Sequence, residues 1–274
     1  MGNNLDTPVI GIDRGASFTD FAIVESGRLK ETFSLENRNW EAINSSYSRL
    51  RDEYQTDHIV FSGCGTGMPA AMRERISVVA EMDAIGFGGA ALVKSSNCVV
   101  VSMGTGTAIV HFADNSAKHV GGSGVGGGTI KGLASLICGL DDPLQIEALA
   151  MKGSASNLNL TISDLGYEEI SFLGADMTAS NFASIKSKKT EDLAAGILRL
   201  VGETVGIISS ICARELNCRE NIVMVGKVAN SPYIRQVLDL VGKLYQTKFL
   251  YPENPGFATV FGAALKYQHD QRNG

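Results

Sequence analysis

The chain has 274 residues, 44% of them hydrophobic and 19% charged, the make-up of a globular protein with ample material for a large core. Its net charge of −5 argues against nucleic acid or an anionic membrane as the main partner. No apolar run approaches the roughly 18 residues of a spanning helix, and Met1-Gly2-Asn3-Asn4-Leu5-Asp6 lacks the basic region and apolar core of a secretory signal, so a cytoplasmic protein is expected.

In chain order, a strand over 9–13, a turn over 14–17 and a strand over 18–24 predict a β-hairpin. A third strand is expected over 31–35, a helix over 40–54 and a buried strand over 58–63. Residues 69–93 read as largely helical, broken by Gly86, Gly88 and Gly89. At Cys98 the pattern restarts: a strand to Met103, the turn Gly104-Thr105-Gly106-Thr107 and a strand over 108–112. A second glycine turn, 120–129, leads into a helix over 130–138. A helix over 141–152 follows, then a polar stretch over 153–174, a long helix over 191–216 and a buried strand over 221–225 ending at Gly226. The chain closes with a helix over 232–244, a strand over 248–251, a turn over 252–256 and a helix over 258–269. Strand–helix alternation with two β-turn-β openings predicts an α/β protein of two related lobes, 1–95 and 96–274.

The richest signal is eight glycines between 104 and 128. Glycines let backbone amides approach a ligand closely, and a glycine run that opens a helix puts unpaired N–H donors and the positive end of the helix dipole at one point. The expected function is a nucleotide-phosphate cradle; the alternative is a flexible turn. Asp13, at the end of the first strand, can hold a magnesium ion or cap the turn. Glu81 and Asp83 stand in an apolar stretch, where a carboxylate is costly without a role. Glu81 can act as a general base on a substrate hydroxyl, or the helix can present both acids to solvent. The cluster Asp176-Met177-Thr178-Ala179-Ser180-Asn181-Phe182 reads as a turn with Thr178 or Ser180 capping a helix. Gly226 ends a buried strand where α/β folds place ligands. The five cysteines and four histidines show no metal or disulfide spacing.

Together these segments resemble the type II pantothenate kinases of the actin/Hsp70/sugar-kinase superfamily, over about residues 8–268. The resemblance rests on Gly11-Ile12-Asp13 with Gly15, Glu81-Met82-Asp83-Ala84, Gly104-Thr105-Gly106-Thr107, the run from Val120 to Leu133, the Asp176–Phe182 cluster and Asn221–Gly226. It implies an actin-like (ASKHA) fold of two ribonuclease-H-like lobes, with ATP and Mg2+ in the cleft between them, in a homodimer. The implied reaction is phosphorylation of the pantothenate 4′-hydroxyl, the first step of coenzyme A synthesis. Glu81 falls on the catalytic base. Asp13, Gly15, Ser17, Gly104, Thr105, Gly106, Thr107, Gly126, Gly127, Gly128, Thr129, Lys131 and Gly226 fall on the nucleotide site, with Asp13 also at the metal. His119, Gly121 and Thr178 fall on the substrate site.

The chain departs from the family pattern in its phosphate-handling charges. The first turn has Ala16 for a second glycine, and Asp20 stands where the family has a lysine, so Asp20 is expected to repel a nucleotide. His119 replaces an arginine, and Lys227-Val228 replaces a serine pair. Two alternatives therefore accompany the pantothenate kinase reading: a kinase of another small hydroxylated substrate, and a non-catalytic nucleotide-binding relative.

Overall fold

The computed structural model describes residues 7–37, 40–63, 76–171 and 173–273. The first sheet has the order β3-β2-β1-β4-β5, built from β1 (Val9–Arg14), β2 (Phe18–Glu25), β3 (Arg28–Glu36), β4 (Ile59–Gly63) and β5 (Ser77–Val78). The second sheet, of β6 (Asn97–Met103), β7 (Thr107–Ala113), β8 (Ser116–Ser123), β13 (Ile222–Val225) and β14 (Phe249–Leu250), runs β14-β13-β6-β7-β8. Each sheet holds an antiparallel meander followed by two strands parallel to its first strand. The two β-turn-β openings in the sequence are therefore the starts of two sheets with one topology.

The central strands are apolar at nearly every position because both faces of each sheet are covered. Ile10, Ile12, Phe21 and Ile23 pack on Ile43, Tyr47 and Leu50 of helix α1 (Trp40–Tyr54). Val9, Ala22, Val24 and Val60 face Val260, Phe261 and Ala264 of the closing helix α7 (Ala258–Asn273). In the second sheet Val99, Val101, Met103 and Met224 join Ala194, Ile197, Leu198 and Val201 of the long helix α5 (Thr190–Glu215). Its other face, with Val100, Val110, Val223 and Val225, meets Ile85, Phe87 and Ala90 of helix α2 (Glu81–Val93). Helices α2 and α7 thus form the layer between the sheets.

Two expectations change here. Residues 76–80 carry β5 rather than helix, and residues 69–75 lie outside the described residues. Helix α2 also runs unbroken through Gly86, Gly88 and Gly89. A side chain at Gly88 would overlap the Ala258 carbonyl of α7, and one at Gly89 would overlap Val100. These glycines cost about 1 kcal/mol each in helix propensity, and they let α2 lie directly on a helix and on a sheet.

Helix α5 is long and apolar enough to cross a membrane by length and composition, which corrects the expectation that no segment approaches that size. Its apolar side is spent against the second sheet and on helices α4 (Pro143–Ala150) and α6 (Pro232–Tyr245). The polar stretch is folded into short pieces. Strand β9 (Leu160–Thr161) pairs with β12 (Thr178–Ser180), β10 (Glu169–Ile170) pairs with β11 (Leu173–Gly174), and Asp192 accepts from the Ser154 amide at 2.8 Å and from Asn157 Nδ2 at 3.1 Å. The expected cap at Thr178 or Ser180 is therefore a strand. The Thr178 hydroxyl donates to Glu203 Oε1 at 2.9 Å, beside an Arg199 Nε bond of 2.5 Å to the same oxygen. Cys98, Cys138, Cys212 and Cys218 are free thiols, and Cys64 lies outside the described residues.

Candidate functional site

The first wall of the site is the β1–β2 hairpin. The Gly15 amide donates to the Phe18 carbonyl at 3.0 Å and closes the turn, leaving Gly15, Ala16 and Ser17 exposed. Asn37, just after β3 (Arg28–Glu36), stitches this turn down: its side-chain amide donates to Gly15 O and its oxygen accepts from Thr19 Oγ1, both at 2.8 Å. Ala16 keeps an ordinary negative φ, so a Cβ is tolerated where the family has glycine.

Asp13 and Asp20 stand opposite each other in the antiparallel register. Burial, reinforced by the neighbouring charges of Asp20 and Glu81, pushes the half-buried Asp13 carboxyl up from 3.8 to about 7, against the opposing pull of Lys227. Gly63, at φ +83, ends β4 so close that a Cβ there would lie 2.8 Å from Asp13 Oδ1. Glu81 begins α2 and is exposed. With Asp83 it fills the first helical turn, where an acid complements the helix dipole; this local reason accounts for two carboxylates in an apolar stretch.

The sign of the Asp13 shift yields a prediction. A folded-state pKa above the ordinary value means the folded protein binds the proton more tightly than the unfolded chain does. The ionised carboxylate therefore costs stability above pH 7, and the cost fades as pH falls from 7 toward 4. The expected result is that Asp13→Asn raises the stability of the ligand-free protein at pH 8 by roughly 1–2 kcal/mol, after discounting for partial exposure. Melting curves at pH 8 and pH 5 check this: the gain should be smaller at pH 5.

The second wall is a pair of interlocked glycine turns. Helix α3 (Gly127–Cys138) opens with the Gly127 amide donating to Gly104 O at 2.8 Å and the Gly128 amide donating to Thr105 O at 2.9 Å. This corrects the expectation of unpaired amides along the run: two of them hold the first turn in place. Thr107 Oγ1 donates to Val125 O at 2.7 Å, and Thr129 Oγ1 accepts from the Gly126 amide at 3.2 Å. The glycines are needed for proximity. A Cβ at Gly126 would sit 2.7 Å from Gly106 O, and one at Gly127 would sit 2.9 Å from Gly104 O. Gly104, Thr105, Gly128 and Lys131 remain exposed along this wall.

Gly226 joins the walls. It follows β13 at φ +88, and a Cβ there would lie 2.5 Å from the Met103 carbonyl oxygen, next to the first glycine turn. The next residue, Lys227, reaches back to the hairpin: its Nζ lies 2.9 Å from Asp20 Oδ1 and 4.0 Å from the centre of the Phe18 ring. Ser34 Oγ also donates to Asp20, at 2.5 Å. Asp20, expected to repel, is a neutralised acid. The pair joins two positions where the resemblance leads one to expect a lysine and a serine, and the fold is what brings them together.

The expected substrate residues are spread more widely. His119 is exposed on β8, and Gly121 lies two residues on, beside Cys212. Thr178 lines a cavity of about 300 Å³ with Asn159, Asp176, Arg199 and Tyr233, between α5 and α6.

The fold matches known structures along nearly its whole length. The activator of 2-hydroxyisocaproyl-CoA dehydratase from Clostridium difficile, with bound ADPNP, aligns with a TM-score of 0.66 at 16% identity, covering 97% of this chain and 96% of that one. A ROK family glucokinase from Streptomyces griseus, in complex with glucose and AMPPNP, gives a TM-score of 0.61 at 12% identity over 97% and 100% of the two chains. Two five-stranded sheets of one topology, with a pair of helices packed between them, thus define a protein of the actin-like ATPase fold, the class shared by sugar kinases and these activators. Residues 93–266 match the family model described as Fumble. The chain belongs to this family, that of the type II pantothenate kinases. The type II pantothenate kinase of Staphylococcus aureus strain USA300 is 28% identical over 270 residues, covering 93% of this chain and 97% of that relative.

Proposed function

We propose that the chain transfers the terminal phosphate of ATP to the 4′-hydroxyl of pantothenate, the first step of coenzyme A synthesis. One observation carries this reading: the Lys227–Asp20 ion pair joins the Asp13 hairpin to the segment 226–228, which packs against the interlocked glycine turns. The phosphates lie against Gly15 and Ser17 on one side and Gly104, Thr105, Gly106 and Thr107 on the other, with Gly126–Thr129, Lys131 and Gly226 framing the nucleotide. Glu81 takes the proton from the attacking hydroxyl. His119, Gly121 and Thr178 receive the acceptor. The parts on either side of Asn97 work as two lobes, 1–95 and 96–274, with α7 packed back on the first sheet.

A magnesium ion fits beside Asp13. A carboxyl pushed up by burial and by two neighbouring acids is the group a cation relieves most. Among the described residues no three His, Cys, Asp or Glu side chains converge into a metal cage. This suits an ion carried on phosphate oxygens and held by one or two carboxylates. Asp13 would hold and orient the ion, which would supply positive charge against the transferred phosphate.

The proposed assembly is a cytoplasmic homodimer. Its dimeric state is supported by Leu136 and Leu144, 83% and 80% exposed on α3 and at the start of α4. Light scattering tests it.

A second reading, a kinase of a different small alcohol, rests on His119, which stands exposed where the family carries arginine. The deciding experiment incubates the purified protein with MgATP and labelled pantothenate beside a panel of small hydroxylated acceptors. Labelled phosphopantothenate supports the first reading. Phosphorylation of another acceptor alone overturns it in favour of the second. No transfer to any acceptor, with AMPPNP still raising the melting temperature, marks a non-catalytic nucleotide binder.

A further inference from the structure

The charge pair that bridges the cleft has a more specific role than tying two lobes together. Lys227 is placed by backbone alone. Strands β6 and β13 run parallel, with Val225 opposite Ser102, so the residues after each strand emerge along one edge. Gly226 presses on Met103, and Val228 Cγ2 would lie 2.9 Å from a Cβ at Gly127. The segment 226–228 is therefore wedged against both glycine turns, and the Lys227 side chain leaves it toward β2. Its ammonium group ends beside Asp20, which stands opposite Asp13 in the hairpin register. Of the charges that act on Asp13, two are acids, Asp20 and Glu81, and Lys227 is the cation.

We infer that Lys227 is a phosphate-binding residue of this chain, delivering from the second lobe the positive charge that position 20 of the first lobe lacks. The inference rests on the kinase reading above, because it needs a polyphosphate in the cleft. Asp20 then has a positioning role: it holds the ammonium at the hairpin, with the Phe18 ring beneath it. An ammonium carries three donors, so Lys227 can keep its bond to Asp20 and still donate to a phosphate oxygen. The Lys227 side chain is 42% exposed while Asp20 is nearly buried at 11%, so the ammonium is anchored on one side and open to a ligand on the other. A charge-assisted bond to phosphate on the open side adds to the pair rather than replacing it.

The test measures binding of AMPPNP and of adenosine by calorimetry for the wild type, Lys227→Met, Asp20→Ala and the double variant Asp20→Lys/Lys227→Ser. Lys227→Met should weaken AMPPNP binding by roughly 10- to 100-fold and leave adenosine binding unchanged, which also shows that the variant is folded. Asp20→Ala should change AMPPNP affinity by no more than a few-fold. The double variant, with a lysine on the first lobe, should recover most of the loss. The inference is overturned if Lys227→Met binds AMPPNP as the wild type does, or if Lys227→Met and Asp20→Ala lose affinity equally, the signature of a tie between lobes. If wild-type protein binds no AMPPNP, the kinase reading itself fails, a result distinct from the other two.

Discussion

Glu81→Gln is expected to lower kcat for phosphoryl transfer by about 10²- to 10⁴-fold, the span that general-base catalysis supplies, with little change in nucleotide affinity. The exchange keeps the shape of the side chain and removes only its capacity to accept a proton. Glu81 is exposed at the start of α2, so the folded state loses a favourable charge at a helix N-terminus, about 0.3–1 kcal/mol, and sheds its repulsion on Asp13 in return. The two effects therefore separate by size. Steady-state kinetics on MgATP and the phosphorylated acceptor, beside a melting curve, read them independently. A variant that keeps more than a tenth of wild-type kcat would remove Glu81 from the chemistry.

The second large effect is structural. Gly262→Ala is expected to destabilise the protein by about 3 kcal/mol or more, at the upper end of what overpacking costs. A Cβ at 262 would overlap the Ala84 carbonyl oxygen and the Gly88 amide nitrogen, and would sit 2.8 Å from the Gly88 Cα. Every one of these atoms is helix backbone, so no rotamer can yield and α2 and α7 must part. Ala84, Val260, Ala263 and Ala264 are buried alongside and would lose their contacts. Denaturant unfolding measures the loss. Because α2 carries Glu81 at its first position, surviving protein should also show reduced kcat; full activity at unchanged stability would contradict the packing described.

The elements the sequence revealed best are those whose cause is local. Apolar runs such as Val9–Ile12 and Val99–Val101 announce buried strands, and the repeat of β-turn-β at Cys98 announces a second sheet like the first. Legibility failed where the cause lies across the fold. Gly86, Gly88 and Gly89 carry the local signature of a helix break, and only Ala117, Ala258 and Val100 on other elements explain why a helix needs them. In the sequence the glycines at 126–128 read as places where the chain comes close to a ligand. What approaches Gly127 and Gly128 is the backbone of Gly104 and Thr105. Thr178 has the chemistry of a cap, but its hydroxyl goes to Glu203, 25 residues on. The Asp20–Lys227 pair spans 207 residues, a distance over which a single sequence offers no pairing signal beyond two opposite charges.

The bonds from Gly127 and Gly128 to Gly104 and Thr105 have a mechanical outcome. They fuse a hairpin tip and a twelve-residue helix into one lever. The tip and the start of the helix are thus held as one unit, and loosening either bond would free both.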